Sequence, residues 1–326
     1  MGRRVGDLSL EELNMYRPPL SMKPADFDAF WKNQIHSIEH MSPTVEVNFR
    51  EYPVPIVEVA DITFESWDGT ILKGILVKPR NVTACPVIQS FHGYTGSRGL
   101  PIDYLKWTSL GVAVYAFDVR GQGESPDHAR YPNGSRTPGW MLDGILNPQS
   151  YYYTNVYKDI WMQFNWIVSE DSPVNHTKIA LAGSSQGGGL ALSLAGLVQN
   201  VDAVIADYPF LAHFERALKI APAGPYLEIV NYFKVSDPQY KTYEIAMRTL
   251  GYIDCVHFCG DIPFPTLMQI GLEDDVTPPS TVFAAYHHLS SKDKEIEVYP
   301  QFSHETNPFH EEKKLAFIMK YLIDSE

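Results

Sequence analysis

Five short, almost wholly apolar runs recur along the chain, and each has the length of a β-strand. They show little alternation of apolar and polar residues, which is typical of strands buried on both faces of a sheet. Segments with helical spacing lie between them, the clearest over residues 154–168. The alternation predicts a mostly parallel, doubly wound α/β sheet. The five runs are residues 87–91, 112–117, 179–182, 203–206 and 266–270.

Other segments flank or interrupt this alternation. Residues 8–31 predict an N-terminal arm with short helical patches, with Asp26 as its candidate N-cap. Residues 57–64 and 71–77 predict two antiparallel strands joined by Asp68-Gly69, a dipeptide suited to a hairpin turn. Segments 124–150 and 209–260 follow strands and predict insertions, helical in the second case, that cover a site. A single domain is expected over residues 1–326 of this 326-residue chain.

Composition excludes several classes of function. The 39 acidic and 26 basic residues give a formal charge of −13 at pH 7, which disfavours binding to nucleic acid. No stretch approaches the roughly 20 apolar residues that span a bilayer, and the first residues show no readable signal peptide. Three cysteines without a framework spacing indicate a reducing compartment, so a cytoplasmic protein without membrane contact is expected.

A glycine-flanked serine follows the run at residues 179–182. Gly183-Ser184-Ser185-Gln186-Gly187 leads into a segment that can begin a helix. This is the context of a nucleophile elbow, in which a strained strand-to-helix turn exposes a serine hydroxyl at the carboxyl end of the sheet. An ordinary glycine-rich turn is the alternative, because short Gly/Ser motifs recur by chance.

An acid and a histidine follow later strands. Asp274 lies between Glu273 and Asp275 after the run at 266–270, and His304 lies on a loop after residues 295–300. Taken singly, these positions also fit a solvated acidic turn and a structural histidine. The order Ser185, Asp274, His304 matches the α/β-hydrolase fold, so these three residues are predicted to be nucleophile, acid and base.

The oxyanion of an acyl-transfer reaction needs hydrogen-bond donors. In this fold they are the amide after the nucleophile and one on an early loop, here the backbone N–H groups of Gln186 and Tyr94. His92, two residues before Tyr94, is expected to hold this loop by hydrogen bonds rather than act as a second base.

Two further clusters suggest chemistry less strongly. Cys255, His257 and Cys259 resemble metal ligands, but no second Cys/His pair completes a zinc site, so no metal is predicted. The run Tyr151-Tyr152-Tyr153 could stack on sugars, although aromatic clusters at the start of a helix more often pack in the core.

The chain resembles the acetyl xylan esterase and cephalosporin C deacetylase family, carbohydrate esterase family seven. The resemblance covers nearly the whole chain. The shared motifs are His92-Gly93-Tyr94, Arg120-Gly121-Gln122-Gly123, the segment from Gly183 to Gly189, Asp207-Tyr208-Pro209, Gly271 to Asp274, Val276 to Tyr286, and His304-Glu305.

The resemblance implies a serine esterase that needs no cofactor and removes acetyl groups from xylo-oligosaccharides and cephalosporin C. It implies the same catalytic and oxyanion residues, a structural role for residues 120–123, and a homohexamer with active sites facing an internal cavity. Tyr94 and Pro209 are expected to wall the substrate pocket. The segment after Gly123 departs from the family pattern, so the contribution of residues 124–150 to specificity stays open. A broader carboxylesterase or lipase-like hydrolase is the alternative; a peptidase and a non-catalytic binding module fit less well.

Overall fold

The computed structural model of the chain describes residues 7–131 and 139–324, which build a nine-stranded sheet with helices packed on it. Its strands are β1 (Val45–Arg50), β2 (Val57–Glu65), β3 (Ile71–Pro79), β4 (Ala84–Phe91), β5 (Ala113–Phe117), β6 (Asn175–Ser184), β7 (Ala203–Asp207), β8 (Thr266–Gly271) and β9 (Lys294–Tyr299). Their order is β1-β2-β3-β5-β4-β6-β7-β8-β9. Strands β4 to β9 are parallel, whereas β1, β2 and β3 extend the sheet antiparallel. The predicted fold class is confirmed.

Ten α-helices lie in the described part of the chain. They are α1 (Leu10–Met15), α2 (Phe27–His36), α3 (Leu105–Thr108), α4 (Tyr152–Ile167), α5 (Gln186–Leu197), α6 (Phe214–Ile220), α7 (Tyr226–Val235), α8 (Tyr243–Ile253), α9 (Pro279–His288) and α10 (Pro308–Ile318). None of these described helices has both the length and the apolar character needed to cross a membrane.

The central strands are buried on both faces, as their apolar runs predict. Neighbouring residues of β4 show this: Val87 belongs to the larger core on one side of the sheet, and Ile88 belongs to the smaller core on the other. Because side chains alternate along a strand, each face must be covered by helices. Helices therefore close both faces of the sheet. Functional residues are expected at the carboxyl ends of the parallel strands and on the loops that follow them.

The N-terminal arm packs on the main body, as expected. Phe30 and Trp31 of α2 are buried, and the indole N–H of Trp31 donates a hydrogen bond of 2.8 Å to the carbonyl of Tyr252 in α8. The ring of Trp31 also stacks on Tyr157 of α4 at 5.3 Å. The arm therefore ties the second insertion to the helices that cover the sheet.

The structure departs from the predicted elements in two places. Strand β1 was not predicted, because it pairs only with β2 at the sheet edge and most of its side chains are exposed. Strand β6 begins at Asn175 rather than Ile179, because its polar first residues pair with the start of β4. The insertion at 124–150 is described on both sides of residues 132–138, which lie outside the described residues.

Candidate active site

Ser185 occupies a sharp turn between β6 and α5. Its backbone has φ 56° and ψ −120°, a conformation that L-residues rarely adopt. A Cβ on Gly183 would overlap the backbone of Gly187, and one on Gly187 would overlap the carbonyl of Phe91. Glycine is therefore required on both sides, and the serine side chain is left facing a cavity rather than the core.

The three residues predicted to act together lie in one hydrogen-bonded row. When its proton is on Nδ1, His304 donates a hydrogen bond of 2.8 Å to Oδ2 of Asp274. Its Nε2 accepts a hydrogen bond of 2.9 Å from Oγ of Ser185. These distances are within hydrogen-bond reach for a nucleophile, a base and an orienting acid.

Asp274 is fixed by the turn that follows β8. Its Oδ1 accepts from the backbone N–H groups of Val276 at 2.9 Å and Thr277 at 2.7 Å, and its Oδ2 accepts from the Thr277 hydroxyl at 2.9 Å. Asp274 is 3% exposed, whereas the neighbouring Asp275 points to solvent. Thr277 was not predicted, although Asp followed three residues later by Thr is a local turn signature that could have indicated it.

His304 lies on the loop between β9 and α10. This loop passes directly over the end of β8, where a Cβ on Gly271 would overlap the carbonyl of Phe302. The Tyr208 ring meets the imidazole edge to face at 4.7 Å. Tyr208 thus limits the orientation of the His304 ring, a contact that no sequence pattern indicated.

The two candidate oxyanion donors keep free amide groups. Within the described residues, the backbone N–H groups of Tyr94 and Gln186 have no hydrogen-bond partner. Gln122 holds the segments that carry these two amides. Its Oε1 accepts from the backbone N–H of Thr95 at 3.0 Å, and its Nε2 donates to Oε1 of Gln186 at 3.0 Å. Gln122 therefore links the Tyr94 loop to the start of α5.

His92 holds the Tyr94 loop, as predicted. Its Nε2 accepts from the Val119 N–H at 2.9 Å, so Nδ1 carries the proton and donates to the carbonyl of Gly93 at 2.7 Å. Burial lowers the pKa of His92, which keeps it neutral. Arg120 of the same shared motifs is fully buried and ion-paired with Asp159 at 2.6 Å, so it serves as a structural group.

A cavity of about 600 Å³ opens above Ser185, and we call it the site cavity. Its wall includes Tyr94, Tyr208, Glu228 of α7 and Val276. Pro209, expected in this wall, is not among the described residues that line it. Its Cα lies 3.1 Å from where a Cβ of Gly188 would be, so Pro209 packs against the first turn of α5 instead.

The remaining sequence clusters are packed in the core. Tyr151, Tyr152 and Tyr153 are fully buried and cannot stack on a sugar. The Nδ1–H of His257 donates to the carbonyl of Gly251 at 2.7 Å, and the thiol of Cys259 donates to the carbonyl of Cys255 at 3.3 Å. The side chains of Cys255, His257 and Cys259 do not form a group that could hold a metal ion. Within the described chain, the one group with that geometry is the exposed set His36, Glu39 and His40.

Comparison with known proteins shows what the chain as a whole is similar to. The family described as acetyl xylan esterase (AXE1) matches residues 4–321. The solved acetyl xylan esterase from Paenibacillus sp. R4 is 42% identical, with a TM-score of 0.92 over 97% of this chain and 100% of that one. Acetyl xylan esterase 1 from Thermoanaerobacterium sp. JW/SL YS485 is 30% identical, with a TM-score of 0.90 over 97% and 99% of the two chains.

A curated relative extends the comparison. Acetyl esterase Axe7A from Xylanibacter ruminicola is 24% identical over 304 residues, which cover 88% of this chain. The match spans only 65% of the length of Axe7A. Because the family match covers almost the whole sequence, and the two solved relatives share at least 30% of their residues with it, the chain belongs to the acetyl xylan esterase family of carboxylic ester hydrolases.

Proposed function

We propose that this protein is a serine esterase that removes acetyl groups from acetylated xylo-oligosaccharides through an acyl-enzyme intermediate. The observation that carries the proposal is the row Ser185 Oγ, His304, Asp274, with hydrogen bonds of 2.9 and 2.8 Å beside a cavity. Membership in the acetyl xylan esterase family supports the acetyl group and the sugar as substrate.

The first half of the reaction forms the acyl-enzyme. Oγ of Ser185 attacks the acetyl carbonyl carbon while its proton passes to Nε2 of His304, and Asp274 stabilises the imidazolium. The carbonyl oxygen becomes an oxyanion that accepts hydrogen bonds from the amides of Tyr94 and Gln186. As the ester C–O bond breaks, the sugar oxygen takes the proton back from His304 and leaves as the alcohol.

The second half returns the enzyme to its starting state. His304 removes a proton from water, and the resulting hydroxide attacks the acetyl carbon bound to Ser185. The same two amides hold the second oxyanion. When it collapses, Ser185 regains its proton from His304 and acetic acid leaves, so one ester and one water give one alcohol and one acetic acid, which ionises to acetate and a proton.

The acetyl ester of cephalosporin C is proposed as a second substrate, because the reacting group is the same and the alcohol part differs. Purified protein should release acetate from acetylated xylo-oligosaccharides and, more slowly, from cephalosporin C. Acetate can be measured with a coupled assay. No release from either compound, with retained folding, would contradict the proposed function.

Two properties of the whole protein are proposed with this activity. The resemblance supports a homohexamer, which light scattering of the purified protein would test. A cytoplasmic location fits the three buried cysteines, which are free thiols and form no disulfide.

A further inference from the structure

Glu228 places a carboxylate in the wall of the site cavity. It lies in α7, and its Oε1 accepts from the hydroxyl of Tyr94 at 2.8 Å. Its Oε2 accepts from the backbone N–H of Met141 at 3.2 Å. The carboxylate also packs directly on Gly139, where a Cβ would overlap it. Glu228 therefore joins three segments of the cavity wall: the Tyr94 loop, the first described residues after 138, and the second insertion.

Among residues 7–131 and 139–324, no Lys or Arg forms an ion pair with Glu228. Its two hydrogen-bond donors are neutral, and neither Lys nor Arg is among the described residues that line the site cavity. Some buried carboxylates of the protein are paired with a cation, as Asp159 is with Arg120 and Asp207 with Lys314, whereas within the described chain Asp254 accepts hydrogen bonds from backbone N–H groups only. Burial raises the pKa of Glu228 and nearby Asp143 adds to this effect, whereas the hydrogen bonds from Tyr94 and Met141 lower the pKa without a neighbouring positive charge.

A carboxylate in a partly buried wall costs stability even when neutral donors hydrogen-bond it, so its presence there indicates a use for the charge. Its position beside the cavity gives it one, because a charge on a low-dielectric wall acts strongly on a charged ligand nearby. A neutral sugar can donate hydroxyl hydrogen bonds to the free lone pairs of the carboxylate. An anionic alcohol meets only repulsion there.

We propose that Glu228 is a specificity-determining residue that favours acetyl esters of neutral alcohols, such as sugars, over acetyl esters whose alcohol part carries an anionic group. This inference rests on the proposed function, since it assigns the charge preference of the same site. It also gives a reason to expect cephalosporin C, whose alcohol part carries a carboxylate, to be the slower substrate.

A purely structural role of Glu228 would have a different signature. Loosening Tyr94 would disturb the oxyanion donor and lower the specificity constant for neutral and anionic esters alike. Removal of a repulsive charge changes the ratio of the two constants. The ratio, rather than either rate, therefore separates the two roles.

The experiment measures kcat/KM for 4-acetoxybenzoate and for its uncharged amide, 4-acetoxybenzamide, which share the acetyl group and the ring. Glu228→Gln should raise the anionic-to-neutral ratio about fivefold at low ionic strength. The ratio of the unaltered enzyme should itself rise with added salt, because salt screens the repulsion. Tyr94→Phe breaks the hydrogen bond but keeps the charge, so its ratio should stay at the unaltered value.

Glu244→Gln is the matched control, since Glu244 is an exposed glutamate of α8 with the same formal charge. It should leave the ratio unchanged. A ratio that Glu228→Gln does not alter would overturn the inference. If that variant fails to fold, a salt-independent ratio in the unaltered enzyme would overturn it equally. Failure of the unaltered enzyme to hydrolyse either ester would instead contradict the proposed function itself.

Discussion

The strained backbone of Ser185 is held by its surroundings. Its N–H donates to the carbonyl of Asp207 at 2.9 Å, and its carbonyl accepts from Phe210 at 2.8 Å and Gly189 at 3.1 Å. Such strain costs on the order of 1–3 kcal/mol and persists where neighbours over-determine the conformation. Because these contacts involve only the backbone, replacing the side chain should leave the turn intact.

Ser185→Ala should therefore abolish ester hydrolysis without unfolding the protein. Loss of a triad serine lowers kcat on the order of 10⁶-fold. Ser184→Ala is the control: its hydroxyl donates to Asp207 at 3.2 Å, away from His304, so most activity should remain. Turnover of an activated acetate ester measures both. Labelling of Ser184 rather than Ser185 by an organophosphate would contradict the assignment.

Asp274→Asn should lower kcat roughly 10⁴-fold, because an amide cannot hold His304 in the required tautomer. Asp275→Asn should have a mild effect, since Asp275 is exposed and Asp274 receives the hydrogen bonds of Val276 and Thr277. The measurement is the steady-state kcat of the two variants. Equal losses would show that the acid is misassigned.

At the scale of elements, the helix after the His304 loop is anchored by buried charge. His310 and Lys314 of α10 both reach Asp207 at the end of β7, at 2.9 and 2.7 Å. Asp207 is also adjacent to the elbow, since it pairs with Ser184. This buried cluster fixes the loop that carries the base relative to the strand beside the nucleophile.

Asp207→Asn should destabilise the protein by about 3–5 kcal/mol at neutral pH, because it removes the buried counter-ion of Lys314 and leaves only the less buried Glu311. Burial alone would raise the pKa of Asp207, but Lys314 and His310 lower it from 3.8 to about 2. A lowered pKa stabilises the fold above the unfolded value and loses that effect as pH falls towards the folded value. The difference between the two proteins should therefore shrink from about pH 4 to pH 2.

Urea unfolding at several pH values measures this difference. Asp171→Asn, at an exposed position, is the control and should change stability little. A cost that stays constant between about pH 4 and pH 2 would mean that Asp207 does not supply the stabilisation.

Elements with strong apolar patterns were predictable, and elements made by pairing or by loops were not. The apolar runs predicted β4 and β7. Strand β1 could not be predicted in this way, because it depends on pairing with β2 and has few buried residues of its own. Chain order predicted that Ser185, Asp274 and His304 would meet, and they lie in contact, although their catalytic roles stay predictions. Pro209 is not among the described residues that line the site cavity, because sequence neighbours do not determine which way a loop residue faces; its role in binding substrate stays a prediction.

Glu228 is a residue whose position at the site could not be predicted from the sequence. It reaches the site cavity from a helix far along the chain from Tyr94, and only the fold of the insertion brings them together. Tyr208 and Thr277 act through the orientation of His304 and Asp274. Sequence spacing indicates which residues carry the chemistry, but not which residues hold them.

For the whole molecule, the sheet and the second insertion have separate tasks. The parallel strands present Ser185, Asp274 and His304 at one edge, while α6, α7 and α8 lie between β7 and β8. Helix α7 supplies part of the cavity wall. In the proposed reaction, the sheet holds the catalytic residues, and α7 of the insertion supplies the residue proposed to set the charge preference.

Acyl-chain selectivity should follow from this arrangement. We expect kcat/KM to fall at least about tenfold from acetate to butyrate esters of one alcohol, because the family resemblance implies a closed acyl side, and such a pocket rejects added methylenes. Octanoate should be slower still. Acetylated oligosaccharide should be preferred to acetylated polymer if active sites face an internal cavity. A kcat/KM that rises with the length of the acyl chain would favour the lipase-like alternative.

The most direct test of the central claim is to trap the acyl-enzyme. The protein is mixed with an acetylated xylo-oligosaccharide, quenched in acid during turnover, digested and examined by peptide mass spectrometry. An acetyl group on Ser185 that forms on mixing and disappears once substrate is exhausted is the predicted result, and Ser185→Ala should show none. Acetate release with the transient acetyl group on another residue would contradict the account.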